Sequence, residues 1–196
     1  MNKSCIVLLS LLLGLVACQS GTQQTQTPPL AGARMGGAFT LTNQDGVRVS
    51  ERDFVGKYRL IYFGYTFCPD VCPVDVQNLM AGFRVFEKSA PALAARTQPI
   101  FITVDPQRDT PPALKQFVSA FHPRLIGLTG TPAEIADVAK RYAVYFQKAP
   151  GADPKAYLVD HSRSAILYGP DGSPIAIIPQ DGTPAKIATE LARWIK

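Results

Sequence analysis

Two cysteines with three residues between them, each followed by proline, stand in the stretch Phe63–Val74, FGYTFCPDVCPV. Thiols at that spacing suit a disulfide staple, a redox pair or a pair of metal ligands. The staple is the poorest reading, because a bridge closing so short a loop restrains the unfolded chain little. The other two both require thiolate, the form that attacks disulfides and the form that binds metal. Two soft thiolates favour Cu(I), and zinc accepts them when enough further ligands are present. A third ligand would most often be histidine, and the chain has two, His122 in FHP and His161 in YLVDHS. His122 follows a helical segment and reads as a solvent-facing loop residue. His161 stands between a polar loop, Lys148–Lys155, and the last hairpin, where a loop can fold over strand ends. Spacing by itself leaves its role open.

The elements that must position these residues are legible as alternating segments. Phe39–Thr42 and Val47–Val49 flank NQDG, a turn signal that predicts a small N-terminal hairpin. Tyr58–Tyr65 is a run of β-branched and aromatic residues too apolar for an edge, so a buried central strand is expected. Val76, Leu79, Met80 and Phe83 recur at helical spacing behind Pro73, and proline suits a helix's first turn. The dithiol therefore falls at a strand-to-helix junction, where the positive end of the helix dipole stabilises thiolate. If Cys72 lies in the first turn, the i,i+4 relation puts both sulfurs on one side.

Further along, Pro99–Val104 and Arg124–Thr129 read as strands and Asp109–Phe121 as a helix. TPAE at Thr131–Glu134 is a capping box opening a helix to about Tyr142. SAILY and PIAII flank GPDG as an antiparallel hairpin, and Thr183–Ile195 closes the chain as a helix. The class is α/β, a central mixed sheet flanked by helices, with the dithiol at the first βα turn as in thioredoxin-like folds.

Cysteine arithmetic depends on the N-terminus. A lysine in Met1–Ser4 precedes the apolar run Ile6–Ala17, which is shorter than the roughly 20 residues a bilayer span needs and has the form of a secretory signal. Its end, LVAC at Leu15–Cys18, resembles the bacterial lipoprotein box, so residues 1–17 read as a signal peptide and Cys18 as the lipidated residue. Residues 18–35, rich in Gln, Thr, Gly and Pro, read as a flexible tether, and residues 36–196 as the folded domain. Cys68 and Cys72 are then the mature thiols, on the extracytoplasmic face of the cell envelope, where such a pair oxidises unless re-reduced. The net charge of +5 is scattered without a basic run, and export argues against nucleic acid.

CPDVCP at Cys68–Pro73, VDPQRDTP at Val104–Pro111 and YLVDHS at Tyr157–Ser162, in this order on this strand pattern, resemble the Sco/SenC family over about Phe39–Trp194. The resemblance implies a membrane-tethered, thioredoxin-like copper protein that helps assemble the CuA centre of cytochrome c oxidase subunit II. It implies Cys68, Cys72 and His161 as ligands for Cu(I), and for Cu(II) as well. Two roles are compatible with it: a chaperone that hands copper over, or a thiol–disulfide reductase of the oxidase cysteines in which Cys68 attacks and Cys72 resolves. A thioredoxin-like reductant and a second periplasmic copper carrier are the accompanying partners. The loop of Asp105, Arg108 and Asp109 either flanks the copper site and tunes or docks it or, the favoured reading, is structural, with Asp109 or Thr110 capping the next helix and Arg108 holding an aspartate. Asp160, beside His161, is expected to point to the opposite face of an extended segment.

Overall fold

Tyr58–Gly64 forms strand β3, and all seven of its residues are buried, as both-faces coverage requires. The structure is a computed structural model and describes residues 26–150 and 157–196. The predicted signal segment and Cys18 lie outside the described residues.

The N-terminal hairpin pairs β1, Thr40–Asn43, with β2, Arg48–Ser50. The Asn43 side chain accepts from the N–H groups of Asp45 and Val47, which closes the turn that NQDG signals. After β3 come α1 (Val71–Ser89), the short α2 (Pro91–Ala95), β4 (Thr97–Thr103), α3 (Pro111–Phe121), β5 (Ile126–Thr129) and α4 (Pro132–Arg141). Then follow β6 (Phe146–Lys148), β7 (Val159–His161), β8 (Ala165–Tyr168), β9 (Pro174–Ile178) and α5 (Pro184–Trp194). Seven strands make one sheet in the order β2-β1-β5-β4-β3-β8-β9, with β3, β4 and β5 parallel and the others antiparallel to their neighbours. This is the mixed, helix-flanked sheet of the thioredoxin-like class.

Period-2 alternation along β3 distributes the core. Leu60 and Tyr62 pack with α1, α3 and α5 on one face, and Ile61 and Phe63 pack with α4 on the other. The Thr131–Glu134 capping box forms as expected, each side chain accepting from the other's backbone N–H.

Some expectations shift. Helix α1 begins at Val71, so Cys72 is inside the first turn and Pro73 is its third residue. From Gln26 the segment expected as tether runs along the domain: Leu30 N–H donates to the Ile175 carbonyl at 3.0 Å, and Leu30 and Met35 pack against the core. His122 is not solvent-facing. It is 3% exposed at the end of α3, its Nε2 is 3.0 Å from Glu87 and its Nδ1 accepts from Arg124 N–H at 3.2 Å. Those partners suit the neutral imidazole, with the proton on Nε2.

Burial holds the His122 pKa below its ordinary value, against the opposing pull of Glu87. A base depressed in the folded state binds protons better unfolded, so its contribution to stability is complete above the unfolded value of about 6.5 and is lost as pH falls below it. We expect the melting temperature to decline between pH 7 and pH 5, and to decline less steeply in His122→Gln. Equal slopes in a pH series of thermal melts would remove His122 from the account.

Candidate metal and thiol centre

The carboxyl end of β3 is shaped to receive a sulfur. A Cβ built on Gly64 would lie 3.0 Å from the rings of Tyr62 and Phe101 and 3.3 Å from Cys72 Sγ. Without that carbon, the first turn of α1 sets Cys72 directly over the strand end, fully buried. Burial pushes the Cys72 thiol pKa well up, and the neighbouring Cys68 and Asp75 add to it.

Cys68 lies one helical turn earlier and is partly exposed. Its sulfur accepts from the Cys72 backbone N–H at 3.5 Å, at the positive end of α1. Burial raises the Cys68 pKa, but the N–H groups of Cys72 and Asp70 and the side chains of Cys72 and Tyr65 outweigh it, and the net shift is downward. The two thiols thus differ in kind: an accessible one biased to thiolate and a buried one biased to thiol.

His161 arrives on a two-stranded ribbon that sequence periodicity did not reveal. β6 and β7 pair antiparallel, with Phe146 opposite His161, and form a sheet separate from the main one. The His161 Nε2 stands 3.1 Å from Cys72 Sγ, and its Nδ1 is 2.9 Å from the Ser162 carbonyl. A carbonyl can only accept, so the proton belongs on Nδ1 and the Nε2 lone pair faces the sulfur. Burial lowers the His161 pKa, which favours that neutral form. The rings of Tyr62 and Tyr65 meet the imidazole edge-on, and Tyr65 Oη accepts from Val159 N–H at 3.3 Å. Asp160 is exposed on the opposite side of β7, as alternation predicts.

The loop after β4 braces the cysteine loop. Asp109 is fully buried, and rather than capping α3 it accepts from Thr66 N–H at 2.9 Å, Thr66 Oγ1 at 2.7 Å and Thr103 Oγ1 at 2.6 Å. Thr110 holds the N-cap position without a side-chain cap bond. Arg108 does hold an aspartate, Asp105, at 2.5 Å, and its guanidinium also lies 3.6 Å from the Tyr157 ring centroid and 5.0 Å from that of Phe67. Tyr157 donates to Asp105 at 2.6 Å. These residues touch the loops on either side of the centre and not the sulfurs themselves.

Cys68, Cys72 and His161 are therefore brought together, whereas His122 sits near the far end of α1. Among the described residues no three histidine, cysteine or carboxylate side chains form a ready-made metal cage. Cys72 and His161 are in contact, with Cys68 beside them. Sequence reasoning missed Asp75, Tyr62 and Arg163, which form a cluster next to the centre: the buried Tyr62 Oη donates to the buried Asp75 Oδ2 at 2.8 Å, and the exposed Arg163 reaches in to the same carboxylate. The available signals were spacings, three residues after Cys72 on a helix and two after His161 in an extended segment.

The SCO1/SenC family model matches residues 27–196, carrying both cysteines and the histidine. This chain belongs to the SCO1/SenC family. The mitochondrial SCO2 homolog of Bos taurus is 43% identical over 79% of this chain, which spans 58% of that relative's length. The copper-bound structure of ScoI from Bradyrhizobium japonicum is 41% identical with a TM-score of 0.74, covering 82% of this SCO1/SenC chain and 99% of that one. BsSco, described with a disulfide switch and as a member of the Sco family of cytochrome c oxidase assembly proteins, is 28% identical with a TM-score of 0.62, over 87% and 96% of the two chains.

Proposed function

We propose that this SCO1/SenC protein is a copper-binding assembly factor that delivers copper to the CuA centre of cytochrome c oxidase subunit II. Cys68, Cys72 and His161 hold the cargo. The observation that carries this reading is the Nε2 lone pair of His161 facing a buried sulfur at 3.1 Å, with Nδ1 engaged by the Ser162 carbonyl. A metal-binding imidazole needs that tautomer and that outer support. Two thiols and one neutral imidazole, dry on the inner side and open at Cys68, form a soft donor set suited to Cu(I). Binding requires both thiols to release their protons, and the high affinity of thiolate for a soft ion offsets the burial that keeps Cys72 protonated. Three ligands leave a face through which client cysteines can enter and exchange. The domain works at the extracytoplasmic face, held there by a lipid on Cys18. This placement is supported by the sequence at Leu15–Cys18.

A second activity is favoured by the unequal exposure of the two sulfurs. Cys68 thiolate can attack an oxidised cysteine pair of the client, forming a mixed disulfide and releasing one client thiolate. Cys72 then attacks Cys68 Sγ, which frees the second client thiol and leaves a Cys68–Cys72 disulfide. Two electrons have passed to the client, and a thioredoxin-like reductant would return them.

Chelator competition with Cu(I) on the reduced protein and on His161→Ala tests the proposal. We expect the parent to bind one Cu(I) tightly and the variant to bind more than about 100-fold more weakly, since loss of a ligand exceeds the cost of losing its outer partner. If His161→Ala binds as the parent does and still reduces an oxidised CuA domain, the protein is a reductase and the delivery reading falls.

A further inference from the structure

We propose that Arg163 and Asp75 form a clasp that holds His161 over Cys72, which makes both of them positioning residues for the third copper ligand. The inference rests on the reading of His161 as a ligand, and it deepens that reading. Asp75 lies one residue short of a full turn beyond Cys72 on α1 and is 1% exposed. Arg163 lies two residues beyond His161 and grips Asp75 with both arms of its fork, Nη2 to Oδ1 at 2.8 Å and Nε to Oδ2 at 3.1 Å. Tyr62 Oη, from β3, fixes the same carboxylate at 2.8 Å. One buried carboxylate thus joins the helix that carries Cys72, the strand beneath it and the segment that carries His161.

The ribbon needs such an attachment. β7 pairs with β6, and neither joins the ladder of the main sheet. A two-stranded ribbon is marginal by itself. Between His161 and β8 lie only Ser162, Arg163 and Ser164, so the clasp acts at the joint where the ribbon meets the body. Asp75 in turn needs a partner, since a buried carboxylate without one is strongly unfavourable. The arrangement is specific to arginine, because an ammonium cannot reproduce a two-armed contact with both oxygens.

Arg163→Met, Arg163→Lys and the charge-neutral pair Asp75→Asn/Arg163→Met, each with and without His161→Ala, decide the matter. The first readout is amide hydrogen exchange in the copper-free reduced protein. Exchange at Val159–Arg163 is expected to accelerate roughly 10-fold in Arg163→Met while α3 and α4 keep their protection. The second is Cu(I) chelator competition. Arg163→Met should weaken binding roughly 10-fold when His161 is present, with Arg163→Lys intermediate, and by nearly nothing in the His161→Ala background. The charge-neutral pair, which leaves no unpaired buried carboxylate, should show the same dependence on His161.

Unchanged exchange at Val159–Arg163, or an equal loss of affinity with and without His161, would overturn the clasp. A parent that binds no Cu(I) would sink the ligand reading instead, and the exchange experiment would still decide whether the clasp orders the ribbon.

Discussion

Cys72→Ser abolishes tight Cu(I) binding while leaving the fold and its melting temperature close to the parent's: this is the expected result with the largest functional effect. Serine matches cysteine in shape, so the fully buried space between Gly64 and His161 stays filled. The hydroxyl can still donate to His161 Nε2, as the thiol can across 3.1 Å. What changes is ligand softness: a neutral alcohol replaces a thiolate before a soft monovalent ion. Loss of an outer partner of a ligand weakens metal binding by about 10- to 100-fold, and loss of the ligand itself should exceed the upper figure. Chelator competition beside a thermal melt measures both quantities. Retention of affinity within tenfold of the parent would show that the buried sulfur is not a ligand. Cys68→Ser should also lose Cu(I), which would separate a two-thiolate site from one built on Cys72 and His161.

Gly82→Val should produce the largest loss of stability. A Cβ at Gly82 would lie 2.4 Å from Ile187 Cγ2, 2.5 Å from Ile187 Cβ and 3.2 Å from the Pro184 carbonyl oxygen. Ile187 is itself fully buried, and a backbone oxygen cannot turn aside, so α1 and α5 would have to separate. Removing glycine from a helix interior gains less than about 1 kcal/mol, and valine recovers only part of that. Overpacking of a rigid contact typically costs 1–3 kcal/mol, and the added methyl groups place this site at about 3 kcal/mol. For a protein of this size, that lowers the melting temperature by about 6–12 °C. Cu(I) affinity of the folded variant should be unchanged, since Gly82 is ten residues along α1 from Cys72. A melting temperature within 2 °C of the parent's would mean that the two helices yield more readily than their packing implies.

Much of this protein follows from short windows of sequence. The largely apolar run of β3, interrupted by Arg59 alone, reads as central because both its faces are covered, and the dithiol must sit at its end because helical periodicity begins directly after it. The capping box at Thr131–Glu134 forms as written, since every atom it needs lies within three residues. Three motifs at fixed order and distance carried the family as well.

Tertiary structure decided what depends on residues far apart in the chain. His161 and Cys72 are separated by 89 positions, and the chain's course, which brings the β6–β7 ribbon to the carboxyl end of β3, sets His161 and not His122 beside that sulfur. His122 pairs with Glu87, 35 residues away, and is buried for that reason. Asp109 reaches 43 residues back to Thr66 instead of capping its own helix, because the parallel pairing of β3 with β4 makes those loops neighbours. The Arg163–Asp75 clasp spans 88 residues in the same way. Backbone propensity and side-chain periodicity act over a few residues, so they specify elements and their ends. Which polar groups meet in the interior is settled by strand order and register, which bring together groups that no local window contains.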